Sequence, residues 1–230
     1  MTSYPSNSRQ VAALIDHTLL KPEATRNDVN RLCSEGLKHE FAAVCVNPVF
    51  VAQVHEALRD SPVRACAVVG FPLGANVRAI KLHEARTALD EGAQEIDMVI
   101  NIGALKARED AAVKSEIECL AAASHERHAI LKVIIETSLL NEEEKVRACR
   151  AACAAGADFV KTSTGFSTAG ATVADVALMH RVVGSKIGVK ASGGIRTLED
   201  LLKMVESGAS RIGTSNGVNI VQEAQIKFGM

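Results

Sequence analysis

The sequence predicts a closed barrel of eight parallel strands alternating with helices, a (β/α)8 TIM barrel with a short N-terminal helix. Three observations carry that expectation. Eight short apolar runs recur along the chain, near residues 14–18, 41–46, 64–69, 95–100, 129–136, 158–162, 186–191 and 210–213, each separated from the next by sequence of helical composition. A dipeptide repeats at Gly92-Ala93, Gly156-Ala157 and Gly208-Ala209, each time closing a helical stretch just before an apolar run. Glycine there fits the left-handed position that ends a helix. The chain has 230 residues, 47% of them hydrophobic, enough for one large core, and residues 1–230 are expected to form one barrel domain.

In order, Val11 to Ile15 reads as a helix end that leads into the first strand at Asp16-His17-Thr18-Leu19-Leu20. Thr25 is an N-cap with Asp28 in the capping-box position, for a helix through Cys33 to Gly36. The second strand, Phe41 to Val46, is stopped by Asn47-Pro48, and helical sequence continues to about Arg59. The third strand, Arg64 to Val69, closes on Gly70-Phe71-Pro72-Leu73-Gly74. Lys81 to Glu91 is helical and stops at Gly92; Glu95 to Ile100 is the fourth strand, and a long helix covers about Glu109 to Ser124. The Val/Ile content of Ala129 to Glu136 marks the fifth strand. Asn141 then caps a helix that runs to Ala155, before the sixth strand at Asp158 to Thr162. Two further units end in Ser210-Arg211-Ile212-Gly213. A doubly wound open sheet is the alternative, but no GxGxxG fingerprint follows the first strand; Lys21-Pro22-Glu23 stands there instead.

Composition narrows the partners. With 26 basic and 27 acidic residues and a net charge of −1, no basic stripe points to nucleic acid or a membrane surface. One tyrosine and no tryptophan leave little for base stacking. The first ten residues are polar and lack signal-peptide order, and no apolar run approaches the ~20 residues of a membrane helix. The six cysteines form no CxxC pair and no zinc-like cluster with histidine, so they read as reduced core thiols of a cytoplasmic protein; Cys149 and Cys153 share one helix face.

Four ionisable residues interrupt otherwise apolar strands: Asp97, Lys132, Lys161 and Lys190. The three lysines recur every 29 residues, one strand-helix unit apart, which places them on three successive strands. Lys161 and Lys190 each lead into a glycine turn, and counting five residues on from Gly92 and Gly156 sets Asp97 and Lys161 at equal depth toward the strand ends. A single buried lysine is more simply explained by a structural carboxylate or an escape to solvent. Two of them, Lys161 and Lys190, running into Thr164-Gly165 and Gly193-Gly194, suit imine formation with a carbonyl. A nearby cation and partial desolvation favour the uncharged amine that must attack, and Asp97 is placed to move protons through a water. This chemistry needs no metal and no cofactor. Thr164-Gly165, Gly193-Gly194 and Gly213-Thr214-Ser215-Asn216-Gly217 follow the last three strands, where barrel loops commonly hold phosphate. Arg196 is near enough to assist.

These segments resemble the deoxyribose-phosphate aldolases, class I (Schiff-base) enzymes on a (β/α)8 barrel. The resemblance runs from Leu14-Ile15-Asp16-His17-Thr18 to beyond Gly213. It is most specific at Glu95-Ile96-Asp97-Met98-Val99-Ile100-Asn101, Phe159-Val160-Lys161-Thr162-Ser163-Thr164-Gly165 and Val189-Lys190-Ala191-Ser192-Gly193-Gly194-Ile195-Arg196. It implies that Lys161 forms the imine, that Lys190 perturbs it, and that Asp97 is the acid of the proton relay. It further implies that Gly165, Gly193, Gly194 and Ser215, with Asn216 beside it, hold the phosphate of 2-deoxy-D-ribose 5-phosphate. Self-association into a homodimer or larger homo-oligomer accords with the family. Another Schiff-base lyase, or a silent phosphosugar-binding barrel, are the competing readings. Three departures stand out: Phe166 where some members carry a lysine, Asn216 where a second serine is frequent, and Gly229-Met230 where some carry a tyrosine tail, the only tyrosine here being Tyr4.

Overall fold

The glycines that punctuate the repeat adopt the backbone expected of them: Gly92, Gly156 and Gly208 have φ of 101°, 79° and 107°, a region that costs a side-chain-bearing residue dearly. Each lets the chain turn from a helix straight into a parallel strand. The computed structural model describes residues 4–228. It contains strands β1 (Ile15–Leu19), β2 (Ala43–Val46), β3 (Arg64–Val69), β4 (Glu95–Val99), β5 (Ile130–Ile134), β6 (Phe159–Lys161), β7 (Gly188–Ser192) and β8 (Arg211–Thr214). The helices are α1 (Ser8–Ala12), α2 (Arg26–His39), α3 (Val51–Leu58), α4 (Arg78–Asp90), α5 (Ile102–Lys106), α6 (Asp110–His125), α7 (Glu142–Ala154), α8 (Val173–Val183), α9 (Leu198–Glu206) and α10 (Gly217–Phe228). All strand neighbours are parallel, and β1 pairs with β8 through Ile15–Ile212, Asp16–Gly213 and His17–Thr214, which closes the barrel and excludes an open sheet.

Local signals account for most boundaries. The Thr25 and Asn141 capping boxes are both formed, with Asp28 and Glu144 as reciprocal partners. Helix α2 nevertheless runs through Gly36 to His39. A Cβ on Gly36 would stand 2.7 Å from Val44 Cγ2, so that glycine serves close helix-to-strand packing rather than termination. Left-handed Glu40 ends the helix instead. Helix α4 begins three residues before Lys81, whose fully buried side chain pairs with Glu116 at 2.9 Å and donates to the Val99 carbonyl. Short helix α5, capped by Asn101, is an element that apolar periodicity over five residues is too brief to reveal.

Strand alternation divides the core in two. Val44, Val46, Ala67, Ile96, Met98, Val133, Val160 and Ala191 face outward into the apolar layer beneath the helices. The opposite faces fill the barrel. On the β2–β3 side the filling is apolar, with Ala43, Cys45, Cys66 and Val68. On the other side it is ionic: Asp16, Glu95, Asp97, Lys132, Lys161 and Lys190 are all buried inside strands. Among the described residues no helix is long and apolar enough to cross a membrane.

Candidate active site

Depth in the barrel follows from the ladder. Asp97 on β4 pairs with Lys132 on β5, and Lys132 pairs with Phe159 on β6, two residues before Lys161. In an eight-stranded barrel of shear eight, each step to the next strand offsets axial level by about one residue. Two steps cancel two residues, so Asp97 and Lys161 stand level, and their side chains meet: Lys161 Nζ lies 2.7 Å from Asp97 Oδ2. Lys190 is the ladder partner of Lys161 on β7 and places its Nζ on the same oxygen, also at 2.7 Å. Asp97 Oδ1 accepts from Lys132 Nζ at 2.6 Å. One carboxylate thus gathers three ammonium groups.

Three cations around one anion would be unfavourable in a low-dielectric interior without further carboxylates. Residues without an assigned role in the sequence supply them. Asp16 on β1 accepts from Lys190, and Glu95, two residues below Asp97 on the same face of β4, lies 2.6 Å from Lys132 Nζ. Arg211 on β8 bridges Asp16 at 2.6 Å and Glu95 at 3.2 Å. Their signal was the two-residue spacing of Glu95 and Asp97 and the presence of Asp16 and Arg211 inside short strands.

Burial would by itself raise the carboxyl pKa of Asp97; Lys132, Lys161 and Lys190 outweigh it and hold it well below the ordinary range. Asp16 is likewise depressed, with burial opposed by Arg211, Lys190 and Lys132. Burial pushes the ammonium groups of Lys190 and Lys132 the other way, but their carboxylate neighbours prevail and both are held above the ordinary lysine value. Lys190 and Lys132 therefore remain cations.

Lys161 differs from both in position. It makes one carboxylate contact, and it is the lysine of the three that borders the open cavity at the C-terminal mouth. That cavity measures about 320 Å³, a size suited to a small metabolite. Gly165, Gly193, Gly194, Ser215 and Asn216 all line it, as does Arg196, and α10 begins directly beyond Asn216 with its first-turn amides free of intrahelical partners. Gly193 and Gly194 have φ of 86° and 81°, which turns the β7 exit back across the mouth. Phe166 lies on the rim, in an edge-to-face pair with Phe71 at 5.3 Å, so the lip of the mouth is apolar at this point. Beneath the β6 loop, buried Glu136 accepts from the Thr164 amide at 3.1 Å and from its hydroxyl.

Cys45 sits buried inside the barrel close to Cys66 and Asp97, in keeping with a core thiol. Together these three groups have the composition of a small metal site. Lys132 Nζ, however, donates to both Cys66 Sγ (3.3 Å) and Asp97, so an ammonium already occupies the cationic position. Burial pushes the Cys66 thiol well above its ordinary value, while its hydrogen bond to Cys45 lowers the Cys45 thiol, so the pair does not supply two thiolates together. The chamber does not fit a metal.

Against known proteins, residues 10–223 match the model of the DeoC/LacD family aldolases. The chain belongs to that family. This aldolase is 56% identical over 220 residues to a deoxyribose-phosphate aldolase of Thermococcus kodakarensis, covering 95% of this chain and 98% of that one. It is 56% identical over 210 residues to the deoxyribose-phosphate aldolase of Lysinibacillus sphaericus, covering 91% and 94%. The solved deoxyribose phosphate aldolase of Aeropyrum pernix, described as a unique tetramer, superposes with a TM-score of 0.90 at 34% identity, covering 97% of this aldolase and 94% of the other. Gly229 and Met230, where a tyrosine tail would attach, lie outside the described residues.

The packing of the aldolase chamber yields one direct expectation. A Cβ at Gly213 would stand 3.0 Å from Ser192 Cβ and 3.1 Å from Lys190 Cε. Gly213→Ala should displace the Lys190 ammonium by a fraction of an ångström and lower kcat by about 10-fold or more, with little change in thermal midpoint. Steady-state kinetics beside a melting curve check this; an unaltered kcat would show that Lys190 has slack.

Proposed function

We propose that this aldolase reversibly cleaves 2-deoxy-D-ribose 5-phosphate to acetaldehyde and D-glyceraldehyde 3-phosphate, with Lys161 as the covalent nucleophile. The supporting observation is the pairing of Lys161 and Lys190 on one oxygen of Asp97, directly below a glycine-lined mouth. The uncharged Lys161 amine adds to C1 of the open-chain sugar, and loss of water leaves a protonated imine. A proton leaves the C3 hydroxyl, the C2–C3 bond breaks, and its electron pair is taken up by the imine as an enamine. D-Glyceraldehyde 3-phosphate departs, C2 of the enamine is protonated, and hydrolysis releases acetaldehyde and Lys161.

Asp97, held well below the ordinary carboxyl range, is a weak base on its own. Its contribution is to anchor the Lys190 ammonium against the reacting nitrogen and, through a water, to pass the proton between oxygen and carbon. At the other end of the substrate, Gly165, Gly193, Gly194, Ser215 and Asn216 bind the phosphate with backbone amides and short side chains, reinforced by the α10 N-terminus. Arg196 adds charge from the rim. No cofactor enters this scheme.

The test is acetaldehyde release from 2-deoxy-D-ribose 5-phosphate, coupled to alcohol dehydrogenase, against a panel that includes unphosphorylated deoxyribose and other phosphorylated sugars. The proposal expects a kcat/KM for the phosphorylated deoxy sugar above that of every other member. Preference for a different phosphosugar would reassign the substrate. We also propose that the chain self-associates, as the Aeropyrum structure is described as doing; Leu73, Val77 and Ile80, more than half exposed on and just after the β3–α4 connection, are apolar surface available to a second copy. Light scattering at micromolar concentration measures this.

A further inference from the structure

The ionic chamber closes into a ring. From Arg211 the contacts run to Glu95, from Glu95 to Lys132, from Lys132 to Asp97, from Asp97 to Lys190, from Lys190 to Asp16, and from Asp16 back to Arg211. Signs alternate at every step. Three cations balance three carboxylates, so the ring is neutral when fully ionised. Lys161 hangs from Asp97 as a seventh member with no carboxylate of its own. Every ring cation, if it lost its proton, would leave two buried carboxylates short of a partner. Lys161 is the one lysine of the chamber that no step of the ring passes through.

We propose that Glu95 and Arg211, at the closed end of the barrel and out of reach of substrate, are positioning residues that set the pH range of imine formation by fixing the net charge of this ring. The inference rests on Lys161 being the nucleophile. Glu95 is fully buried and Arg211 nearly so, and neither borders the mouth cavity. Glu95 lies two residues, roughly 7 Å of strand, below Asp97. The ionisable groups around Lys161 are Asp16 on β1, Cys45 on β2, Cys66 on β3, Glu95 and Asp97 on β4, Lys132 on β5, Glu136 just after β5, Lys190 on β7 and Arg211 on β8, with Lys21 and Arg196 at the rim. Arg64, half exposed, reaches Glu95 from outside at 3.8 Å, and solvent screens it. Phe159 covers Arg211 with its ring at 5.6 Å, which keeps the floor charge desolvated and its field effective.

Two changes of opposite sign separate charge from mere support. Glu95→Gln leaves the ring at +1, so an additional ammonium at Lys161 is disfavoured and imine formation should extend to lower pH, by about one pH unit at this distance. Arg211→Met leaves the ring at −1, retains the Lys161 ammonium, and should move the profile upward by a similar amount. The double variant restores neutrality and should return near the wild-type profile. Glu95→Asp and Arg211→Lys keep each charge while altering the packing, and should leave the profile in place; they also carry the test if a neutral variant fails to fold, since a shifted profile in either overturns the proposal.

The readout is borohydride-trapped acetaldehyde adduct on Lys161, measured by intact mass from pH 5 to 9, with circular dichroism to establish folding. Opposite shifts in the single variants support the inference. Shifts in the same direction, or none while the wild-type protein forms the adduct, overturn it alone. A wild-type protein that forms no adduct overturns the nucleophile assignment, and this inference with it.

Discussion

Asp97→Asn should be the most damaging conservative change in the barrel. The amide keeps the shape of the side chain but removes the charge that three ammonium groups share, and its NH2 group must face at least one of them. Breaking a buried ionic network at one partner costs about 3–5 kcal/mol. Loss of the group that organises proton transfer should lower kcat by about 10²–10⁴-fold. Urea unfolding and the coupled cleavage assay measure the two effects separately. A variant within 1 kcal/mol of wild type and within about 10-fold in rate would mean that Asp97 is a spectator.

The second large effect is expected at Lys190. Its ammonium is held as a cation by Asp16 and Asp97 against the cost of burial. Lys190→Leu takes away that charge, leaves Asp16 and Asp97 short of a partner, and turns the neutral ring negative. Both consequences add uncompensated negative charge beside Lys161. Adduct formation near neutral pH should fall by about 10-fold or more, and its optimum should move upward by about one to two pH units. The direction matters more than the size. A variant with reduced activity and an unmoved pH profile would show that Lys190 shapes the site without tuning the amine.

How much of this was legible in the residues differs between fold and site. The barrel was legible because its grammar is local: glycine at 92, 156 and 208 stops each helix at a fixed distance from the next strand, and capping boxes at Thr25 and Asn141 start two of them. Helix α2 passed its apparent stop at Gly36 because that glycine answers to Val44, a residue on another element. In the site, Lys161, Lys190 and Asp97 stood out as charges in apolar strands, and the 29-residue step placed the lysines side by side. What sequence reasoning took as a simple pair of cations became a pair bridged by a carboxylate. Proximity of Lys190 to Lys161 alone does not define their mutual influence; the charge of the whole ring does. Asp16, Glu95 and Arg211 were invisible as a group because they come from strands far apart in the chain, and only the closure of β1 on β8 brings them together.

The central claim is that Lys161 is the group that bonds to substrate. Incubation with acetaldehyde and sodium borohydride, followed by peptide mapping, tests it most directly. The account predicts a single reduced two-carbon adduct on the peptide that contains Lys161, and none in Lys161→Ala. An adduct on Lys190 or Lys132, or one that persists in Lys161→Ala, would contradict it.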